Sequence, residues 1–212
     1  MCKRSILMVF LILLFVPAGC KKSRVRSQVR ELMYSTIILP EKISCVYNGE
    51  VFPMPDSLRD KPKLIVYIDS TECSKCRITQ FIRYDESFEL ARESGLFEVM
   101  LLLSAKRDER GDIKDHLLNI ELFCPVYLDE NNCFGRLNPP IVNNSVSHSF
   151  LVDGKGAIRM VGDPSSSKQM FELLRKRMNN LQVSNLQINE EEIVKNQLSR
   201  RACRGALAGI NK

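Results

Sequence analysis

With 212 residues, 44% of them hydrophobic, the chain is long enough and rich enough in apolar runs to bury a core without disulfides as its main support. Its formal net charge of +6 is mild and its basic residues are mostly scattered, which leaves no footprint for nucleic-acid binding. Eight cysteines against only two histidines, His116 and His148, limit zinc-type sites to cysteine-rich ones, and the chain holds a single CxxC.

The N-terminus, Met1-Cys2-Lys3-Arg4-Ser5, precedes an apolar run from Ile6 to Val16 and then Pro17-Ala18-Gly19-Cys20. A basic start, an apolar stretch too short to span a bilayer comfortably and a small-residue exit make a secretory signal. The pair Ala18-Gly19 before Cys20 resembles a bacterial lipobox, with Pro17 where Leu is usual. That resemblance implies cleavage after residue 19, acylation of Cys20 and a lipid-anchored protein facing the periplasm. An ordinary signal peptide or an uncleaved anchor is the alternative. Loss of residues 1–19 removes Lys3 and Arg4, leaving 29 basic against 25 acidic residues and a net charge of +4. Lys21, Lys22, Arg24 and Arg26 then flank the anchor, as a solvated linker or as an aid to contact with anionic head groups.

Residues 20–44 are expected to form a tether with a short helix over 27–34, ended by the extended Ile37-Ile38-Leu39-Pro40. Asn48-Gly49 between Cys45–Tyr47 and Glu50–Phe52 predicts a hairpin. Leu64 to Ile68 is a continuous apolar run, as in a strand buried on both faces of a parallel sheet.

Directly after that run comes Asp69-Ser70-Thr71-Glu72-Cys73-Ser74-Lys75-Cys76, a CxxC pair placed to open a helix. Unpaired N–H groups and the positive dipole end of a helix favour a thiolate at the first cysteine. Cys73 is therefore expected to attack and Cys76 to resolve the mixed disulfide. A structural bridge, an inert pair and half a metal site are the competing explanations. Lys75 would favour the Cys73 thiolate and Glu72 would oppose it, so the sign of the net shift stays open. Cys45 and Cys124 lie in strand-like apolar segments and are expected in the core, whereas Cys133 and Cys203 are expected to be more exposed.

Beyond the pair, Ile78, Phe81, Ile82, Tyr84, Phe88 and Ala91 recur at helical spacing, with Gly95 as a stop. A strand over 97–103 and a helix carrying Ile113, Leu117 and Leu118 follow, with His116 on its surface. A short strand over 125–128, a turn over 129–132 and a rigid break at Asn138-Pro139-Pro140 come next. Ser149–Val152 and Ala157–Val161 flank Asp153-Gly154-Lys155-Gly156 as an antiparallel hairpin. Ser165 to Ser167 cap a last helix carrying Met170, Phe171, Leu174 and Met178. The domain is expected over 45–180. Residues 181–212 form an extension of weak helical periodicity, acidic at Glu190–Glu192 and basic at Arg200, Arg201 and Arg204.

This order of elements resembles the thioredoxin-like superfamily. The 68–76 segment and the Ser149-Phe150-Leu151-Val152-Asp153-Gly154 hairpin look most like the extracytoplasmic thioredoxin-like lipoproteins of Bacteroidetes-type bacteria, relatives of thiol-disulfide oxidoreductases. The resemblance implies an α/β three-layer sandwich, a mixed central sheet with helices on both faces. It implies a redox-active Cys73–Cys76 disulfide with no other cofactor and no resident metal, with Ser74 and Lys75 tuning its potential. The implied partners are thiols or disulfides of exported proteins and a separate redox donor or acceptor. Glu72 stands where the superfamily usually has Trp, Ser147 where it has a substrate-presenting cis-Pro, and Tyr67 about where it has a buried acid. The fold would bring the loop of His148 near Cys73, where it could polarise a thiol, join the pair in holding copper or zinc, or simply face solvent. A non-catalytic binding module, metal-carrying or not, with the pair as a structural bridge, is the alternative function.

Overall fold

The computed structural model describes residues 17–69, 78–104, 108, 110–129, 131–143 and 147–181. Cys73, Cys76 and the flanking Glu72, Ser74 and Lys75 lie outside the described residues, as does all of 182–212.

Helix α1 spans Pro17–Met33, starting ten residues before the expected 27. Proline suits a first helical turn, and from Cys20 onward the segment is free of Gly and Pro and rich in Lys, Arg and Gln, which lose little rotamer freedom in a helix. Cys20 is its fourth residue. The chain then pairs Thr36 with Ala157 in an isolated bridge, and Ile37 donates its N–H to the Gly156 carbonyl at 2.8 Å.

Strands β1 (Ser44–Tyr47) and β2 (Glu50–Pro53) form the expected hairpin. Asn48 and Gly49 both adopt positive φ, 50° and 75°, the conformation that a two-residue turn of this hand requires. Strand β3 (Lys63–Ile68) is buried at every position. A 3-10 turn at Phe81–Tyr84 leads into α2 (Asp85–Ser94), which ends at Gly95 in the left-handed conformation with its N–H on the Ala91 carbonyl. The 3-10 turn corrects one expectation: three residues per turn align Ile78, Phe81 and Tyr84, all buried, and leave Ile82 facing outward at 61% exposure.

Strand β4 (Glu98–Leu103), α3 (Arg110–Leu118) and β5 (Val126–Leu128) follow. The expected break after β5 is instead two short helices, α4 (Cys133–Leu137) and α5 (Pro139–Val142). Buried Asn138 joins them, and its side chain accepts from the Ile38 N–H and donates to the Ile38 and Phe134 carbonyls, each at 2.8 Å. Strands β6 (Ser149–Val152) and β7 (Ile158–Val161) form the second hairpin. A helix over 168–181, α6, follows a 3-10 turn at Pro164–Ser166, with the Ser167 hydroxyl accepting the Met170 N–H.

The seven strands order as β2-β1-β5-β4-β3-β6-β7, with β3, β4 and β5 mutually parallel and the other pairings antiparallel. The steps from β3 to β4 and from β4 to β5 run the same way along the sheet, so right-handed crossovers place α2 and α3 on one face. There Leu64, Val66 and Ile68 of β3 pack with Ala91, Ile113, Leu117 and with Leu174 and Met178 of α6. On the other face Ile65 and Tyr67 pack with Leu32 of α1, Phe134 of α4 and Ile141 of α5. The mixed sheet between two helical layers is the architecture expected.

In the second hairpin Asp153 accepts the N–H groups of Lys155 and Ala157 through Oδ1. Gly156, at φ 80°, brings its Cα so near the Ile37 carbonyl oxygen that an added Cβ would stand 2.4 Å from it. Gly156→Ala is expected to cost about 2 kcal/mol or more of stability, read as a lower urea midpoint at unchanged slope.

Candidate active site at the carboxyl end of the parallel strands

Because β3, β4 and β5 are parallel and in register, with Ile68 opposite Leu103 and Leu103 opposite Leu128, their carboxyl ends finish side by side. The next residues continue the ladder: Ser104 N–H meets the Ile68 carbonyl and Asp129 N–H the Leu103 carbonyl, each at 3.0 Å. Asp69, Ser104 and Asp129 thus stand in a row at the edge of the sheet, all three buried. In open parallel sheets this edge is where ligands and reactive groups gather. In sequence the CxxC lies between Asp69, at this edge, and the buried core residue Ile78.

Asp129 organises the row. Its Oδ1 accepts the Cys133 N–H at 2.9 Å, and its Oδ2 accepts the Phe134 N–H at 2.7 Å and the Ser104 hydroxyl at 3.1 Å. The carboxylate thereby satisfies the first N–H groups of α4, which a five-residue helix could not otherwise hold in place. Fixed in this way, Phe134 packs its ring 4.6 Å from that of Tyr67.

Tyr67 is fully buried and occupies the position implied for a buried acid. Its hydroxyl donates to Asp69 Oδ2 at 3.3 Å. Burial pushes the phenol up to about 12, with the Ser104 hydroxyl partly opposing and the nearby carboxylates Asp69 and Asp129 adding to the rise. The phenol therefore keeps its proton throughout the physiological range and serves as a fixed donor to Asp69.

His148 and Ser147 come to this same edge. The Tyr67 N–H donates to the His148 carbonyl at 2.8 Å, and the imidazole lies edge-on to the Tyr67 ring at 5.8 Å between centroids. His148 is half-buried against Tyr67. Ser147 Oγ accepts the Ser149 N–H at 3.1 Å, a local turn that opens β6. Ser149 is itself buried and lies 3.5 Å, oxygen to oxygen, from the Tyr84 hydroxyl. The structure thus brings Ser147 and His148 to the edge from which the CxxC segment departs.

Sequence reasoning missed Ser104, Asp129, Phe134 and Tyr84 as parts of this edge. A usable signal was present for Asp129, an acid placed four and five residues ahead of Cys133 and Phe134. Among the described residues, Cys45 and Cys124 lie apart from the row. Burial raises Cys45 to about 11, partly offset by a hydrogen bond with Tyr127, and raises Cys124 to about 12. Both are core residues as expected. Cys133 is half-exposed at the start of α4, with Arg136 Nη2 donating to its Sγ at 3.0 Å. Among the described residues no cluster of His, Cys, Asp and Glu is arranged to hold a metal ion.

Asp129→Ala leaves two helix N–H groups and the Ser104 hydroxyl without their acceptor. The expected loss is about 3 kcal/mol in urea denaturation, with Ser104→Ala costing about 1 kcal/mol and the pair less than additive.

No protein-family model matches the chain, and no curated protein matches it in sequence. Similar solved structures include the thioredoxin domain of a thiol-disulfide oxidoreductase from Bacteroides vulgatus, at 14% identity and TM-score 0.41, covering 67% of this chain and 96% of that one. An uncharacterized thioredoxin-like protein from Porphyromonas gingivalis is 20% identical at TM-score 0.40, over 69% of this chain and 93% of that one. The exposed lipoprotein thioredoxin of Streptococcus pneumoniae is 17% identical at TM-score 0.42, over 64% and 97%. At these identities the likenesses assign no residue a role, and the fold follows from the strand order and crossovers themselves. With β3 and β4 parallel and joined through α2, the β6–β7 hairpin beside β3 and α6 closing the layer, the chain is thioredoxin-like in fold.

Proposed function

We propose that the protein is a membrane-tethered thiol-disulfide oxidoreductase that exchanges disulfides with exported proteins through Cys73 and Cys76. The observation that carries this reading is positional. The CxxC follows, in sequence, the carboxyl end of β3, at the edge where Asp69, Tyr67, Ser147 and His148 converge.

In the reducing direction the Cys73 thiolate attacks one sulfur of a substrate disulfide, forming a mixed disulfide and releasing the other sulfur as a thiolate. The Cys76 thiolate then attacks Cys73, expelling the second substrate sulfur. Two electrons pass to the substrate, and Cys73–Cys76 becomes the disulfide. The same steps in reverse oxidise a substrate dithiol. The Tyr67 hydroxyl holds Asp69, a carboxylate four residues before Cys73 in sequence, by a hydrogen bond of 3.3 Å.

A second reading keeps the fold as a binding module with the pair as a structural bridge. It is favoured by Ser147, whose hydroxyl is bonded to the Ser149 N–H at the position where the superfamily presents a proline to substrates.

The reduction potential of the Cys73–Cys76 pair separates the two. Equilibration of the lipid-free chain from residue 21 in glutathione or dithiothreitol buffers, read by mass spectrometry, is expected to give a reversible two-electron couple between about −120 and −270 mV. A pair that resists reduction below about −300 mV, or never closes, speaks for the bridge and against exchange.

The tether rests on Cys20 and the apolar run before it. Among the described residues no helix is long and apolar enough to cross a membrane. Acylation of Cys20 would supply anchoring by burial of its acyl chains. In a bacterial host, Cys20→Ala is expected to abolish incorporation of labelled fatty acid and shift the protein out of the acylated membrane fraction. Incorporation that persists in this variant excludes Cys20 as the attachment point.

A further inference from the structure

Away from the strand-end site, a groove of about 970 Å³ lies between α2 and α6. Its walls carry five acids, Asp85, Glu86, Glu89, Glu93 and Glu172, against three bases, Arg83, Lys168 and Arg175. Two of those bases are already engaged. Arg83 pairs with Asp163, and Arg175 lies near Glu172 at 3.7 Å and over the Phe171 ring. Glu89 is paired with Arg92 at 2.8 Å. Asp85, Glu86 and Glu93 have no ion-pair partner among the described residues. The groove is therefore an anionic surface with an apolar floor, supplied by Leu90, Phe171 and the outward-facing Ile82.

The chain carries the complement of this surface. Residues 193–212 contain Lys195, Arg200, Arg201, Arg204 and Lys212, no acid, and the apolar Ile193, Val194, Leu198 and Leu207. Geometry permits the contact. From Leu181, the last described residue of α6, back to Phe171 is ten residues of helix, about 15 Å. The eleven residues 182–192 can extend to about 35 Å, more than twice that span. A segment joined by so short a linker meets the groove at millimolar effective concentration, so several individually weak exposed ion pairs suffice to hold it.

We propose that the basic C-terminal segment 193–212 docks in the acidic groove between α2 and α6 of the same chain. Glu86 and Glu93 supply the anionic side, Arg200, Arg201 and Arg204 the cationic side, and Leu90, Ile82 and Phe171 the apolar contact. The groove begins at the 3-10 turn Phe81–Tyr84 and runs along α2 and α6.

Hydrogen–deuterium exchange on the full chain tests this, with peptides from β3 and β4 as internal controls for folding. Peptides from 193–212 are expected to exchange about tenfold more slowly than the same sequence as a free peptide, with the protection falling at high salt. Glu86→Lys with Glu93→Lys, both exposed positions, is expected to remove that protection while leaving the β3 and β4 peptides unchanged. Lys195→Glu, Arg200→Glu, Arg201→Glu and Arg204→Glu together are expected to do the same. Combining both sets restores opposite charge across the groove and is expected to restore protection. Free-peptide exchange rates in the wild-type segment, or failure of the combined set to restore protection, overturn the proposal. Protection that disappears on dilution overturns it too, since the occupant would then be the tail of a second copy.

Discussion

Parallel, in-register pairing of β3, β4 and β5 is the constraint on which the remaining structure depends. A parallel ladder buried on both faces needs crossovers, and crossovers of one hand stepping in one direction put α2 and α3 on the same side. The opposite face is left to α1, α4 and α5, through Leu32, Phe134 and Ile141. Most importantly for function, the ladder fixes where the strands stop. Asp69, Ser104 and Asp129 end side by side because Ile68, Leu103 and Leu128 are in register, and a one-residue slip would turn each of them to the other face.

Placing three polar residues at that edge creates a desolvation cost that local hydrogen bonds must offset. Asp129 meets it with two backbone N–H groups and a hydroxyl, and in doing so holds a helix too short to persist alone. That helix delivers Phe134 to Tyr67, and Tyr67 in turn orients Asp69 while its own N–H holds His148. The order of dependence runs from strand register to capping carboxylate, to aromatic packing, to the group nearest the departing CxxC segment. Each residue at this edge is supported by one farther from it, the arrangement expected where a reactive group must be positioned rather than merely present.

How much of this was legible in the sequence follows from the range of the interactions involved. The Asn48-Gly49 hairpin, the 153–156 turn, the Gly95 stop and the doubly buried β3 all rest on contacts within a few residues, and each stands where the pattern placed it. Ile82 was misplaced because Ile78, Phe81 and Tyr84 follow a spacing of three, which a 3.6-residue period cannot distinguish over so short a run. The two short helices, α4 and α5, show no periodicity at all. They exist through Asp129 and through Asn138, whose bonds to Ile38 join positions 100 residues apart. Along the described strand-end edge, Ser147 and His148 were legible from resemblance, and the CxxC reading falls outside the described residues. Ser104, Asp129, Phe134 and Tyr84 were not, because their roles arise only when strand ends from distant parts of the chain are laid side by side.

The distribution of thiols adds a last argument. Under the proposed function, a disulfide-exchanging protein must keep its other cysteines from competing with the reactive pair. Cys45 and Cys124 meet that demand by burial, since a thiol raised to about 11 or 12 is almost wholly protonated near neutral pH and is sterically closed to a partner sulfur. Their separation reinforces it, because Cys45 belongs to the core on one face of the sheet and Cys124 to the core on the other, so neither can bridge to its neighbour without breaking the layer. The sheet that gathers polar groups at its carboxyl edge thus also sequesters these two thiols within it.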